Sequence, residues 1–253
     1  MTMLKKIAST GYGVQAVLRF ALSASFAQDT CCRCGNASYG QVLCRPCARW
    51  FMTHTLKTED CCPYCGKPLL SEQNLCMECR EKRVIVSADT VHALFTYRLW
   101  CKNLLFAWKT EGRRSAALLF ARALFAALPE GCRTVVPVPP RPGKIKVRGW
   151  DQIDDLCRIL SLVYGLRIVS VLERKSVVQQ KKMDRTSRLE HSTASYAIKP
   201  ALLKKKVRAT EIPQEVVLLD DVITTGATVE ACASLLKAYG IRKVHVLSLF
   251  IVD

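Results

Sequence analysis

Apolar positions along the chain fall into two patterns, unbroken runs that suit buried strands and three-and-four spacings that suit helices. The clearest run is Val216-Val217-Leu218-Leu219, four apolar residues without a polar break, as expected of a strand covered on both faces. Residues 229–239 then follow helical spacing up to Gly240, which suits the C′ position. Upstream, Ala116, Leu119, Phe120, Ala123, Leu124 and Ala127 form one face of a helix over 115–128, stopped by Pro129 and Gly131. Residues 134–139 predict a short strand whose prolines fall at its end, where a sheet tolerates them. Ile153, Leu156, Cys157, Leu160 and Val163 predict the next helix, and residues 166–172 another short strand. Residues 87–97 alternate loosely and predict an edge strand or a hairpin, followed by a helix ending near Trp108; residues 243–252 predict the closing strand. The order strand, helix, strand, hairpin, strand, helix, strand fits a doubly wound α/β sheet, whose ligand sits at the switch point of the strand order.

Chemistry collects at the ends of two of these strands. After Leu219 come Asp220 and Asp221, then the small, hydroxyl-rich stretch Thr224, Thr225, Gly226, Ala227 and Thr228, then the helix. A buried strand, a loop and a helix N-terminus make an anion cradle, because backbone N–H groups and the helix dipole both favour negative charge there. The paired carboxylates suit hydroxyls or hydrated Mg²⁺ instead. Together they ask for a ligand with a phosphate at one end and a diol beside it, which a ribose 5-phosphate satisfies. The second strand end, residues 134–139, runs into a loop carrying Arg141, Lys144, Lys146 and Arg148 ahead of the helix that begins near Gln152. That again describes an anion site at the C-terminal edge of a parallel sheet.

Ten of the fourteen cysteines lie between Cys31 and Cys79. They form four C-x₂-C knuckles: Cys31 with Cys34, Cys44 with Cys47, Cys62 with Cys65, and Cys76 with Cys79. Two knuckles complete a tetrahedral Cys₄ zinc site, and four thiolates leave no open coordination position, so these sites read as structural. Nine residues separate the first two knuckles and ten the last two, which favours sequential pairing into a double zinc ribbon, although cross-bracing of first with third also fits the spacing. Cys32 and Cys61 stand beside ligands and are able to substitute for Cys31 and Cys62. A segment of this size with few aromatics has little core, so metal binding would supply its folding free energy.

Across 253 residues, 38 Lys and Arg face 21 acids, a net charge of +17, which points to a polyanion partner. Residues 174–208 hold eleven cations against Asp184 and Glu190, a net +9; their first half predicts a mobile loop and Lys204 to Lys206 a hairpin tip. No run of eighteen apolar residues occurs, so no transmembrane helix is expected. Residues 1–28 imitate a secretory signal, but Arg19 interrupts the apolar stretch. Val14, Val17, Leu18, Ala21 and Leu22 repeat at helical spacing, which favours an amphipathic helix against a membrane, a partner or the rest of the chain. Reduced, metal-binding cysteines agree with a cytoplasmic setting.

The strand, Asp220-Asp221 and the Thr-Thr-Gly-Ala-Thr loop resemble the 5-phosphoribosyl-1-diphosphate (PRPP) motif of type I phosphoribosyltransferases. By that resemblance Asp220 and Asp221 take the ribose hydroxyls, Thr224 to Thr228 take the 5′-phosphate, and Arg141 and Lys144 reach the pyrophosphate, with Mg²⁺ as companion. The cysteine-rich ribbon, Arg148-Gly149-Trp150-Asp151-Gln152, Gln180 with Arg188, and Lys109 with Gly112 together resemble the ComF family of phosphoribosyltransferase-like competence proteins. Trp150, Asp151 and His191 depart from that family's pattern. The resemblance implies a type I phosphoribosyltransferase-like α/β fold with a small N-terminal Cys₄ zinc-ribbon domain. It also implies a role in DNA uptake, with single-stranded DNA and the helicase or DNA-loading machinery as partners. The expected domains are an N-terminal helix over 1–30, a double zinc ribbon over 31–80 and the phosphoribosyltransferase-like domain over 81–253. The alternative implied activity is phosphoribosyl transfer to an acceptor with release of pyrophosphate, Asp220, Asp221 and Arg148 being its catalytic candidates.

Overall fold

Residues 216–219 lie fully buried at the middle of a five-stranded parallel sheet in the computed structural model, which describes residues 30–69, 74–140, 150–175, 195–200 and 213–253. The strands are β1 (Thr90–Thr96), β2 (Thr134–Pro137), β3 (Arg167–Ile168), β6 (Glu215–Ile223) and β7 (Lys243–Ile251), in the order β1-β7-β6-β2-β3. All neighbouring pairs are parallel. A further pair, β4 (Leu172–Arg174) and β5 (Tyr196–Ile198), is antiparallel. The helices are α1 (Arg45–Thr53), α2 (Met77–Glu81), α3 (Leu99–Lys109), α4 (Ala116–Ala126), α5 (Gln152–Tyr164) and α6 (Ala227–Ala238).

The chain divides into two compact units, one of residues 1–54 with 102–116 and the other of residues 55–101 with 117–253. The second unit holds the sheet. On one face α6 and the β4–β5 pair close over Val216, Leu218, Val244 and Val246, with Ile85, Ala231, Cys232 and Leu236 filling the space between. On the other, Phe120 of α4 meets Phe250 edge-on, ring centres 5.9 Å apart. Phe125 of the same helix stacks on Tyr164 at the end of α5, 4.3 Å away. Each buried Val or Leu contributes about 1.5–3 kcal/mol over its exposed state, so the continuous apolar strand is what anchors this unit.

Local signals account for the helix limits. Asp151 caps α5 by accepting from the Ile153 amide at 2.9 Å, and Gly165, in the left-handed region at φ 69°, ends it. β1 is an edge strand paired in parallel with β7, not a hairpin. Two expectations need correction. Residues 166–172 are not one strand: the two residues of β3 extend the main sheet, and the chain turns at Val169 to Val171 before β4 joins β5. Nor does β6 stop at Leu219. It runs on through the two aspartates to Ile223, because β7 continues beside it, with Asp220 opposite Ser248 and Ile223 opposite Ile251.

The helix expected over 1–30 falls outside the described residues, apart from Thr30, as do Lys204 to Lys206 and most of the basic stretch. Among the described residues, no helix is long and apolar enough to cross a membrane.

Candidate functional site: the β6 edge and two cysteine centres

β2 and β6 are neighbours, yet β2 leads through α5 to β3 on one side while β6 leads through α6 to β7 on the other. Their shared C-terminal edge is therefore the switch point of the sheet, the place where open α/β sheets leave a crevice. Pairing between them ends where the Val138 amide bonds to the Leu219 carbonyl at 2.9 Å. Asp220 and Asp221 come next, Asp220 lying opposite Ser248 of β7.

Adjacent strand residues face opposite ways. Asp220 continues the face of Val216 and Leu218, and its charge is felt by Tyr196 and by Cys232, whose thiol burial pushes above its usual range. Asp221 instead acts on Asp151, whose carboxyl is raised chiefly by burial and further by the charges of Asp154 and Asp221. The Asp221 amide donates to the Asp220 carboxylate at 2.8 Å. Beyond them Thr224 and Thr225 are exposed, Gly226 is buried in the left-handed conformation at φ 80°, and Ala227 and Thr228 form the first turn of α6. A left-handed residue there swings the chain from the strand into the helix and leaves the first amides of α6 at the strand's end. Thr228 also bonds the Tyr196 hydroxyl, which in turn accepts from Arg174 Nη1 at 2.8 Å. Arg141, Lys144 and Arg148 lie outside the described residues, as do Gln180, Arg188 and His191.

The cysteines gather into two groups, Cys31, Cys34, Cys44 and Cys47, and Cys62, Cys65, Cys76 and Cys79, with the sulfur atoms of each within 4.8 Å of one another. This is the sequential pairing, and no described cysteine is in a disulfide. The two groups repeat one design. The amides of Cys31 and Cys62 bond to the carbonyls of Asn36 and Lys67, both at 2.8 Å. Gly35 and Gly66 then turn left-handed, and Cys44 and Cys76 begin α1 and α2. The matching bridges and hydrogen bonds equate Cys31 with Cys62, Thr30 with Cys61 and Cys32 with Pro63, and neither Cys32 nor Cys61 is in a four-sulfur group.

The donor chemistry fits zinc. Burial opposes ionisation of Cys31 and Cys62, but backbone N–H groups outweigh it and bring them down to about 6 and about 7. Burial and the neighbouring sulfurs then drive Cys47 and Cys79 up to about 12, and Cys65 higher still. Four thiolates this close coexist only around a cation, and a four-sulfur tetrahedral set selects a soft ion such as Zn²⁺.

The first unit also explains Cys32. Arg113 donates to its sulfur at 3.1 Å and to the carbonyls of Thr30 and Gln41 at 2.9 and 2.6 Å, tying the turn after α3 to the first knuckles. On α1, Trp50 stacks on His54 with ring centres 4.2 Å apart, and the Arg33 guanidinium lies 3.9 Å over the Trp50 ring. His54 is thus a surface residue and no ligand. Trp108, by contrast, is fully buried.

Three known proteins resemble the chain over most of its length. It is 28% identical over 195 residues to competence protein ComFC of Streptococcus pneumoniae, covering 76% of this chain and 80% of that one. It is 26% identical over 214 residues to competence protein F of Haemophilus influenzae, covering 81% and 88%. It is 26% identical over 223 residues to DNA utilization protein YhgH of Escherichia coli, again covering 81% and 88%. These likenesses support the resemblance to the ComF family. No family profile matches it.

The residues that spacing alone did not single out are those joining elements remote in sequence. Arg174 was visible only as one cation in a basic run, and Tyr196 carried no signal. Glu230, in the first turn of α6, accepts the amides of Val86 and Ser87 at 2.7 and 2.9 Å and the Ser87 hydroxyl at 2.7 Å. Nothing in the pattern around Glu230 announces a partner more than a hundred residues away.

Proposed function

We propose that the protein binds PRPP, or a ligand with the same ribose 5-phosphate end, together with Mg²⁺, as a competence-type protein that handles incoming single-stranded DNA. One observation carries the ligand reading. Asp220 and Asp221 sit on β6 just past its last bond to β2, directly ahead of the exposed Thr224–Thr225 turn and the left-handed Gly226 that opens α6. The turn and helix N-terminus suit the 5′-phosphate, and the carboxylates suit the ribose hydroxyls and the cation. Arg141, Lys144 and Arg148 would meet the pyrophosphate from the loop after β2.

The DNA reading is supported by three relatives named for competence or DNA utilization and by the +17 charge. In the first unit it is supported by the exposed Arg45 and Arg49 beside the Arg33–Trp50–His54 stack, since aromatic faces and cations together suit stacked bases and phosphates. Cytoplasmic location and a helicase or loading partner belong to the same reading.

Titration calorimetry of the full chain with PRPP and Mg²⁺ tests the ligand. Saturable binding that is lost in the Asp220→Asn/Asp221→Asn double variant is expected, and no binding at millimolar PRPP would overturn the proposal. A second reading, phosphoribosyl transfer with Asp220, Asp221 and Arg148 in the machinery, is favoured by Asp151, a carboxyl raised by burial and further by the charges of Asp154 and Asp221. Pyrophosphate release on adding single-stranded DNA or nucleosides would separate transfer from binding alone.

A further inference from the structure

The second cysteine centre and the β6–α6 turn belong to the same unit and share a cavity wall. Cys65 and Cys79 of the centre, with Lys67 and Lys82 beside them, line it on one side; Thr224, Thr225 and Gly226 line it on the other. Only five residues separate Cys79 from Ile85. Ile85 is buried, and its Cγ1 would lie 2.8 Å from any Cβ placed on Gly226, so the side chain rests on the bare α-carbon of the turn. Directly after it, Val86 and Ser87 give three hydrogen bonds to the Glu230 carboxylate in the first turn of α6. At the other end of the centre, a Cβ on Gly66 would meet the Val91 carbonyl of β1 at 3.2 Å, so the knuckle is also seated on the sheet.

We propose that the second Cys₄ centre is a working part of the anion cradle. A metal held by Cys62, Cys65, Cys76 and Cys79 fixes residues 82–87, and these hold Gly226 and Glu230 so that the first amides of α6 keep their aim. Lys82 adds a cation to the same cavity as Thr224 and Thr225, where a phosphate oxygen would gain from it. A short segment with little core relies on its metal to stay ordered. Loss of that metal would therefore release the support under the turn, even though no cysteine touches the ligand. The phosphate part of this inference rests on the PRPP reading; the mechanical part does not.

The test uses the zinc-loaded full chain with two readouts, amide hydrogen exchange over residues 223–230 and calorimetry with PRPP and with inorganic phosphate. Two variants cut the path at different points. Cys76→Ser removes a metal ligand, and Ile85→Ala/Glu230→Gln severs the contact while native mass spectrometry confirms that both metals remain. Both should speed exchange across 223–230 by about tenfold or more, as expected when a locally supported turn is freed, and both should weaken PRPP or phosphate binding. Lys82→Ala should weaken binding without altering exchange. Exchange over 223–230 that matches the parent in the doubly substituted, fully metallated protein would overturn the proposal. So would loosening in Cys76→Ser confined to residues 61–82. If the parent protein binds neither PRPP nor phosphate, the ligand reading fails by itself, and the exchange results still decide the mechanical link.

Discussion

Arg113 donates to the Cys32 sulfur at 3.1 Å while the same guanidinium bridges the Thr30 and Gln41 carbonyls. This makes Cys32 a hydrogen-bond acceptor beside the first cysteine group, not a ligand in reserve. Burial raises its thiol while Arg113 opposes the rise. Cys32→Ser should keep two zinc ions per chain, because the two four-sulfur groups stay intact. Cys44→Ser should reduce the count to one. Metal analysis of the purified variants checks both. Arg113→Ala leaves two carbonyls without their charged donor and should cost about 1.5–3 kcal/mol. Arg113→Lys should recover only part of that loss, since a single ammonium cannot span the fork.

Asp151 caps α5 but does so as a half-buried carboxylate, and that burial raises its pKa. The folded state thus holds this proton more tightly than the unfolded chain. Its contribution is most favourable below the ordinary aspartate value of about 3.9 and is lost as pH rises through the raised folded value. Asp151→Asn keeps an acceptor for the Ile153 amide and removes the half-buried charge, so it should gain stability over the parent as pH rises above about 4. Asp151→Ala loses the cap and should be destabilised by about 1 kcal/mol. Urea melts of the three proteins at about pH 4 and about pH 7 give the comparison.

Much of the arrangement was legible because its signals are local. The apolar run at 216–219 and the helical spacing after Gly226 placed the centre of the sheet, and knuckle spacing placed the two cysteine groups. The limits of β6 were not legible, since what carries it past Asp220 is β7, whose register no local pattern reveals. The split of residues 166–172 between two sheets depends in the same way on Tyr196–Ile198, a partner across a long stretch of sequence. Nor does spacing show that Asp220 and Asp221 serve different faces, because a loop reading leaves both free to turn the same way. Cys32 and Cys61 looked equivalent beside their ligands; only the repeated hydrogen bonds of the two knuckles tell Cys32 from a ligand.

Gly226 combines a left-handed backbone with a contact that leaves no room for a methyl group. At φ 80° an L-residue costs about 1–2 kcal/mol more than glycine, and the new Cβ would press on Ile85 Cγ1 at 2.8 Å and Cδ1 at 2.9 Å. Gly226→Ala should therefore destabilise the second unit by about 2–3 kcal/mol. Against an Ile85→Ala background the contact part disappears and only the backbone part remains. The two substitutions should then be non-additive, the double variant being less destabilised than the sum, as measured by denaturant melts in a double-mutant cycle.

Single-strand binding, if it uses the first unit, has a recognisable signature. Exposed Arg33, Arg45 and Arg49 would meet phosphates, and each such contact displaces counterions from the backbone, so affinity should fall steeply between low and high salt. Trp50 is half-buried and packs against the Arg33 guanidinium and the His54 ring. Trp50→Ala should weaken binding by about 1–3 kcal/mol at every salt concentration without changing the slope, because stacking carries no net charge. Arg45→Ala/Arg49→Ala should instead lower the slope, by about one to two units. Fluorescence anisotropy of a labelled oligonucleotide over a salt series reads both quantities. An affinity that does not depend on salt would remove nucleic acid from the proposed function, and a salt slope untouched by Arg45→Ala/Arg49→Ala would move the contact away from α1.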